Sequence, residues 1–126
     1  MTEGYKVRPF SQPVKRYCQT MDLRDNPELI AKYKEAHDSD HAWKEVLDGI
    51  REVGILEMEI SLIGNHLTMI VDTPADFNGQ ESMDRLAKLP RQAEWEAFVS
   101  RFQNCSPDVR SDEKWKPMER IFRLYD

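Results

Sequence analysis

The sequence is poor in the residue types from which several common kinds of site are built. It holds two cysteines, Cys18 and Cys105, and three histidines. Two cysteines with no CxxC pair supply neither a disulfide scaffold nor a structural zinc site, so both are expected as reduced thiols, Cys18 within a strand. The five glycines form no clustered loop of the kind that cradles a phosphate. No apolar run approaches the roughly 18–20 residues that span a bilayer. The opening Met1-Thr2-Glu3-Gly4-Tyr5-Lys6 carries no apolar leader. The expectation is a soluble, cytoplasmic protein with no membrane partner. Excess positive charge is missing as well: 18 Lys and Arg face 23 Asp and Glu, a formal net charge of −5. Affinity for a phosphate backbone needs clustered Lys and Arg. Here Arg16, Arg24, Lys32 and Lys34 are interleaved with acids such as Glu28 and Glu35, so no nucleic-acid partner is expected.

What remains is enough for one domain. The 126 residues are 40% hydrophobic and 10% aromatic, which suits a single core in a two-layer α+β unit. Residues 1–14 contain Pro9 and Pro13 and no clean period, and read as an N-terminal arm ahead of a single domain over 15–126. Arg16 to Leu23 alternates as a strand. Asp25-Asn26-Pro27-Glu28 then has the cap, first-turn proline and acid of a helix start, and the helix carries Leu29, Ile30, Tyr33 and His37. Asp38-Ser39-Asp40 is poor helix interior and good capping material. A second helix, with Trp43, Val46, Leu47 and Ile50 as its stripe, ends near Gly54.

Leu56 to Leu62 alternates with period two, Gly64-Asn65 supplies a turn, and His66 to Asp72 returns as a hairpin. Helices are expected over Gln80–Leu89 and Arg91–Phe102, the latter with Trp95, Phe98, Val99 and Phe102 at helical spacing. A loop through Cys105 and Pro107 leads to a last strand, Glu119–Leu124. The order is that of a ferredoxin-like βαββαβ unit, a four-stranded antiparallel sheet with helices on one face. A second apolar sheet face would need burial against another copy, so a homodimer is expected.

The chemistry-bearing candidates are few. His37 and His41 are four apart, but Asp38-Ser39-Asp40 breaks the helix between them and no third ligand is spaced to match, so no metal site is expected. His66, at a turn, reads as structural. His37 shares a helical face with Tyr33; imidazole titrates near neutrality and can both give and take a proton, and a phenol can bond a substrate hydroxyl. The same spacing equally suits a helix packed on a sheet, with no chemistry. Trp43 and Trp95 read as core, or as indole planes for the apolar face of a sugar.

Tyr33-x3-His37 after a proline-opened helix, Trp43-x-Glu45, Gly54 before a hairpin, Trp95 on a later helix and the closing Met118-Glu119-Arg120-Ile121-Phe122-Arg123-Leu124 together resemble the L-rhamnose mutarotase family. The resemblance is nearest to its L-fucose mutarotase branch and runs from about Tyr17 to Leu124. It implies a dimeric α/β-barrel of ferredoxin-like protomers that interconverts the α and β anomers of a 6-deoxy-L-hexose without cofactor or metal. His37 falls on the family's proton-donor position, Tyr33 on a sugar-contacting tyrosine, and Trp95 on the second tryptophan of a paired contact. Met58 stands where rhamnose enzymes carry a tyrosine, and Glu94 where they carry the first tryptophan of the pair. The interval from His37 to Trp43 is two residues longer than in rhamnose members. On this reading imidazolium His37 protonates the ring oxygen while Glu94, Tyr33 or a water takes the anomeric proton. The competing readings are a non-catalytic small-ligand-binding barrel and a cofactor-free monooxygenase of the same plan.

Overall fold

The alternating run around Tyr17 becomes the central strand of the fold, seen here in a computed structural model that describes residues 3–105 and 111–125. Strand β1 (Val14–Asp22) pairs antiparallel with β3 (His66–Pro74), from Val14 opposite Pro74 to Asp22 opposite His66. On its other side β3 pairs with β2 (Glu57–Ile63), and the two-residue β4 (Lys116–Pro117) lies along the free edge of β1. The sheet order is β2-β3-β1-β4, with every pairing antiparallel. Helices α1 (Pro27–Ala36) and α2 (Lys44–Glu52) separate β1 from β2. Between β3 and β4 come α3 (Gly79–Leu86), α4 (Gln92–Val99) and the single turn α5 (Ser111–Lys114). No helix among the described residues is long and apolar enough to cross a membrane.

Local chemistry sets these boundaries. Asn26 caps α1, its side-chain oxygen accepting from the amides of Glu28 at 2.9 Å and Leu29 at 3.2 Å, while Pro27 fills a position whose missing N–H costs nothing. The helix stops at His37, and Asp38 then gathers the amides of Asp40 and His41, both at 2.9 Å, and the His41 ring at 2.7 Å. That carboxylate offers the backbone a turn in place of another helical bond. The β2–β3 hairpin closes through Gly64 at φ 60°, a left-handed conformation suited to the first position of a tight hairpin turn. Asn78 caps α3 through the Glu81 amide at 3.0 Å.

One sheet face carries Met21, Leu23, Leu67, Met69 and Val71, which pack with Tyr33, Val53, Ile55, Leu86, Val99 and Phe102. Leu23 and Leu67 retain 1% exposure each, and burying such a side chain is worth roughly 1.5–3 kcal/mol. The other face departs from the expectation of a second apolar surface. Half-buried Cys18, Thr20, Thr68 and Ile70 share it with exposed Glu59 and Ser61, and Asp72 is covered there by Arg16 in a two-pronged ion pair of 2.7 and 3.1 Å.

The closing strand is also corrected. It was expected over Glu119–Leu124; the chain instead pairs at Lys116–Pro117, adds one bond from the Met118 amide to the Cys18 carbonyl at 2.8 Å, and then leaves the sheet. Pro117 has no N–H to extend the ladder. Beyond it Ile121, Phe122, Leu124 and Tyr125 are all at least three-quarters exposed. The expected helix Gln80–Leu89 begins one residue earlier, at Gly79, and stops at Leu86, and the expected helix Arg91–Phe102 is shortened at both ends to Gln92–Val99. Pro107 lies outside the described residues.

Candidate active site

Between the helices and the apolar sheet face lies a cavity of about 540 Å³, within the ~300–1,000 Å³ usual for small-molecule sites. Tyr33, His37, Trp43, Met58 and Trp95 all line it, so the structure brings together residues from α1, β2, α4 and the turn before α2. Glu94 is not among them. It points away on the exposed side of α4, next to Arg91 at 3.4 Å. Gln92, Trp95, Glu96 and Val99 face the cavity at spacings of three and four, and at 100° per residue position 94 falls on the opposite side of the helix.

His37 terminates α1, and its ring folds back to bond the Tyr33 carbonyl through Nδ1 at 2.7 Å. A carbonyl only accepts, so Nδ1 carries the proton and Nε2 keeps a lone pair. The ring packs at 4.3 Å from the Tyr33 ring and 5.2 Å from the Trp95 indole, while retaining accessible surface on the cavity wall. Desolvation by this packing lowers its pKa from the ordinary histidine value, opposed in part by the bond to the Tyr33 carbonyl. At neutral pH the ring is therefore a neutral acceptor at Nε2, whereas the sequence suggested an imidazolium.

Tyr33 is 4% exposed. Burial pushes its phenol up to about 12, against a hydrogen bond to Gln103 that lowers it, so at neutral pH the group is a donor. His41 turns instead to Asp38, whose hydrogen bond raises its pKa. The two histidines of that segment thus serve different partners.

Trp43 and Trp95 meet edge to face at 5.2 Å, and the Arg91 guanidinium lies 4.0 Å over the Trp43 ring. Arg91 adopts φ 64° just before α4, a conformation that is costly for a residue with a Cβ and that lies beneath this stacked contact. Trp95 thus has an indole neighbour in Trp43, from a different element, while position 94 holds an outward-facing carboxylate. Met58 adds a polarisable thioether to the wall.

Sequence reasoning missed three polar residues. Gln92 and Glu96 line the cavity from α4, and Lys114, whose side chain is fully buried, pairs with Glu96 at 2.7 Å. Gln92, Glu96 and Val99 fall at helical spacing beside Trp95, and that stripe was readable. Lys114, on a single turn of helix, has no periodicity to reveal it.

The family model of the L-rhamnose mutarotases matches residues 16–124. An L-fucose mutarotase of Xanthomonas campestris pv. campestris is 36% identical over 111 residues, 88% of this chain and 89% of that protein. A UPF0734 protein of Dictyostelium discoideum is 34% identical over 114 residues, 87% of this chain and 90% of that one. In fold, the crystal structure of an L-rhamnose mutarotase from Formosa agariphila matches with a TM-score of 0.65 at 22% identity, covering 88% of this chain and 99% of the other. Sequence similarity runs over nearly the whole domain, and the chain belongs to the L-rhamnose mutarotase family, among the isomerases that act on sugars.

Proposed function

We propose that the protein is an aldose mutarotase that interconverts the α and β anomers of a 6-deoxy-L-hexose, L-fucose or L-rhamnose, by general acid/base ring opening. The observation that carries this reading is the fixed imidazole of His37, its Nδ1 tied to the Tyr33 carbonyl and its Nε2 free on a cavity wall. Ring opening removes the proton of the anomeric hydroxyl, breaks the bond from the anomeric carbon to the ring oxygen, and delivers a proton to that oxygen. Neutral His37 takes the first proton at Nε2, and the protonated Tyr33 phenol supplies the second. After rotation about the bond to the neighbouring carbon, the same steps in reverse close the other anomer and restore both groups. Trp43, Trp95 and Met58 offer the apolar surfaces against which the sugar ring and its methyl group rest. The relative named an L-fucose mutarotase favours L-fucose over L-rhamnose.

The reading includes a homodimer. Its support is the apolar tail from Ile121 to Tyr125, exposed along its length, which a second copy of the chain would cover.

Saturation-transfer NMR between the two anomeric protons of L-fucose, and of L-rhamnose, tests the activity. Exchange faster than in buffer is expected. Shifted sugar resonances without exchange would mean a binding module, and oxygen uptake with a phenolic substrate would mean a monooxygenase.

A further inference from the structure

Glu96 has no assigned part in the chemistry above, yet its surroundings are unusual for a structural carboxylate. It faces the cavity from α4 with its side chain 16% exposed. One carboxylate oxygen accepts from Lys114 Nζ at 2.7 Å and the other from Gln92 Nε2 at 2.8 Å. Lys114 also donates to the Glu96 carbonyl at 3.2 Å, and its side chain has no exposure at all. An ammonium buried so fully is tolerable only beside its counter-charge, so the carboxylate cannot swing away. Gln92 is 5% exposed, and since a carboxylate only accepts, its amide NH2 is fixed toward Glu96. Its own oxygen is left without a partner among the described residues.

A carboxylate has about four lone-pair sites, and the two protein donors occupy one on each oxygen. The remaining acceptor capacity on this cavity wall has no donor among the described residues, and the buried Gln92 oxygen behind it is unsatisfied as well. Such a wall is short of hydrogen-bond donors, and a hexose is rich in them. We propose that Glu96, held in place by Lys114 and Gln92, accepts a hydrogen bond from a non-reacting ring hydroxyl of the sugar and so sets which hexose the pocket takes. This rests on the mutarotase reading. Glu96 takes the place in recognition that Glu94, on the outer side of the helix, cannot take. A site built to bond a hydroxyl discriminates strongly against the analogue that lacks it, because the acceptor is then left unpaired.

The test pairs variants with monodeoxy sugars. Anomer exchange is measured for L-fucose and for its 2-, 3- and 4-deoxy analogues, on the native chain, on Glu96→Gln, and on Glu96→Gln with Lys114→Met. The double change removes both charges together and leaves no unpaired ammonium. On the native chain one of the three deoxygenations is expected to lower kcat/KM by about 10- to 100-fold. On the double variant that same deoxygenation is expected to have little further effect, with the change falling mainly in KM. Equal ratios across the panel in native and variant chains would make the Lys114–Glu96 pair purely structural and overturn the inference, while exchange by the native chain would leave the mutarotase reading standing. A native chain that exchanges none of the sugars would sink both.

Discussion

At the scale of single residues, the behaviour of His37 follows from what its ring touches. Its pKa in the folded chain is depressed by desolvation, whereas in the unfolded chain it returns to about 6.5. Below that value the unfolded state binds more protons than the folded one, so stability falls as pH drops through and beneath it. Urea denaturation at pH 7.5 and pH 5.5 should therefore show a loss on acidification that is smaller in His37→Gln, which cannot titrate. The same depression moves the chemistry: kcat/KM for anomer exchange should stay level from pH 8 down past 6.5 and decline only at lower pH, as the neutral ring is lost. His37→Gln should slow exchange by roughly 10²–10⁴-fold while remaining folded, measured by saturation transfer. An unchanged rate would remove His37 from the mechanism.

Among the elements, the β2–β3 hairpin was the most legible, because alternation from Leu56 and a Gly64-Asn65 turn are both local features and agree with each other. Its turn also yields a clean expectation. Gly64 sits at φ 60° with nothing within 4 Å of an added Cβ, so Gly64→Ala meets no clash and pays only for the left-handed backbone. That costs about 1 kcal/mol, a Tm lower by roughly 3–5 °C with exchange activity unchanged. The start of α1 was equally legible from Asn26 and Pro27. The last strand was not. Ile121, Phe122 and Leu124 have the composition of a strand, but whether such a run pairs depends on a neighbouring edge that sequence does not display. The site divides in the same way. Tyr33 and His37 announce themselves by spacing, whereas Glu94 was singled out by the resemblance alone, and Glu96 is marked only by its helical offset from Gln92 and Val99.

For the molecule as a whole, the tail is the feature that a lone chain leaves unexplained. Ile121 is 88% and Phe122 77% exposed, and apolar surface gathered in one short stretch marks a contact. Sedimentation of the native chain should give twice the monomer mass. Ile121→Ser with Phe122→Ser should shift that species toward monomer at micromolar concentration. A native monomer, or a dimer indifferent to both serines, would count against the tail as part of the interface.

The edge-to-face stack of Trp43, Trp95 and His37 has an optical corollary. Indole emission is quenched by a nearby protonated imidazole, so Trp95 reads the charge state of the ring beside it. Fluorescence should dim as acid charges His37, and should also change when a sugar enters and displaces solvent from the indole faces. His37→Gln should abolish the first response and keep the second, giving the protein a built-in gauge of both proton and ligand that needs no added dye.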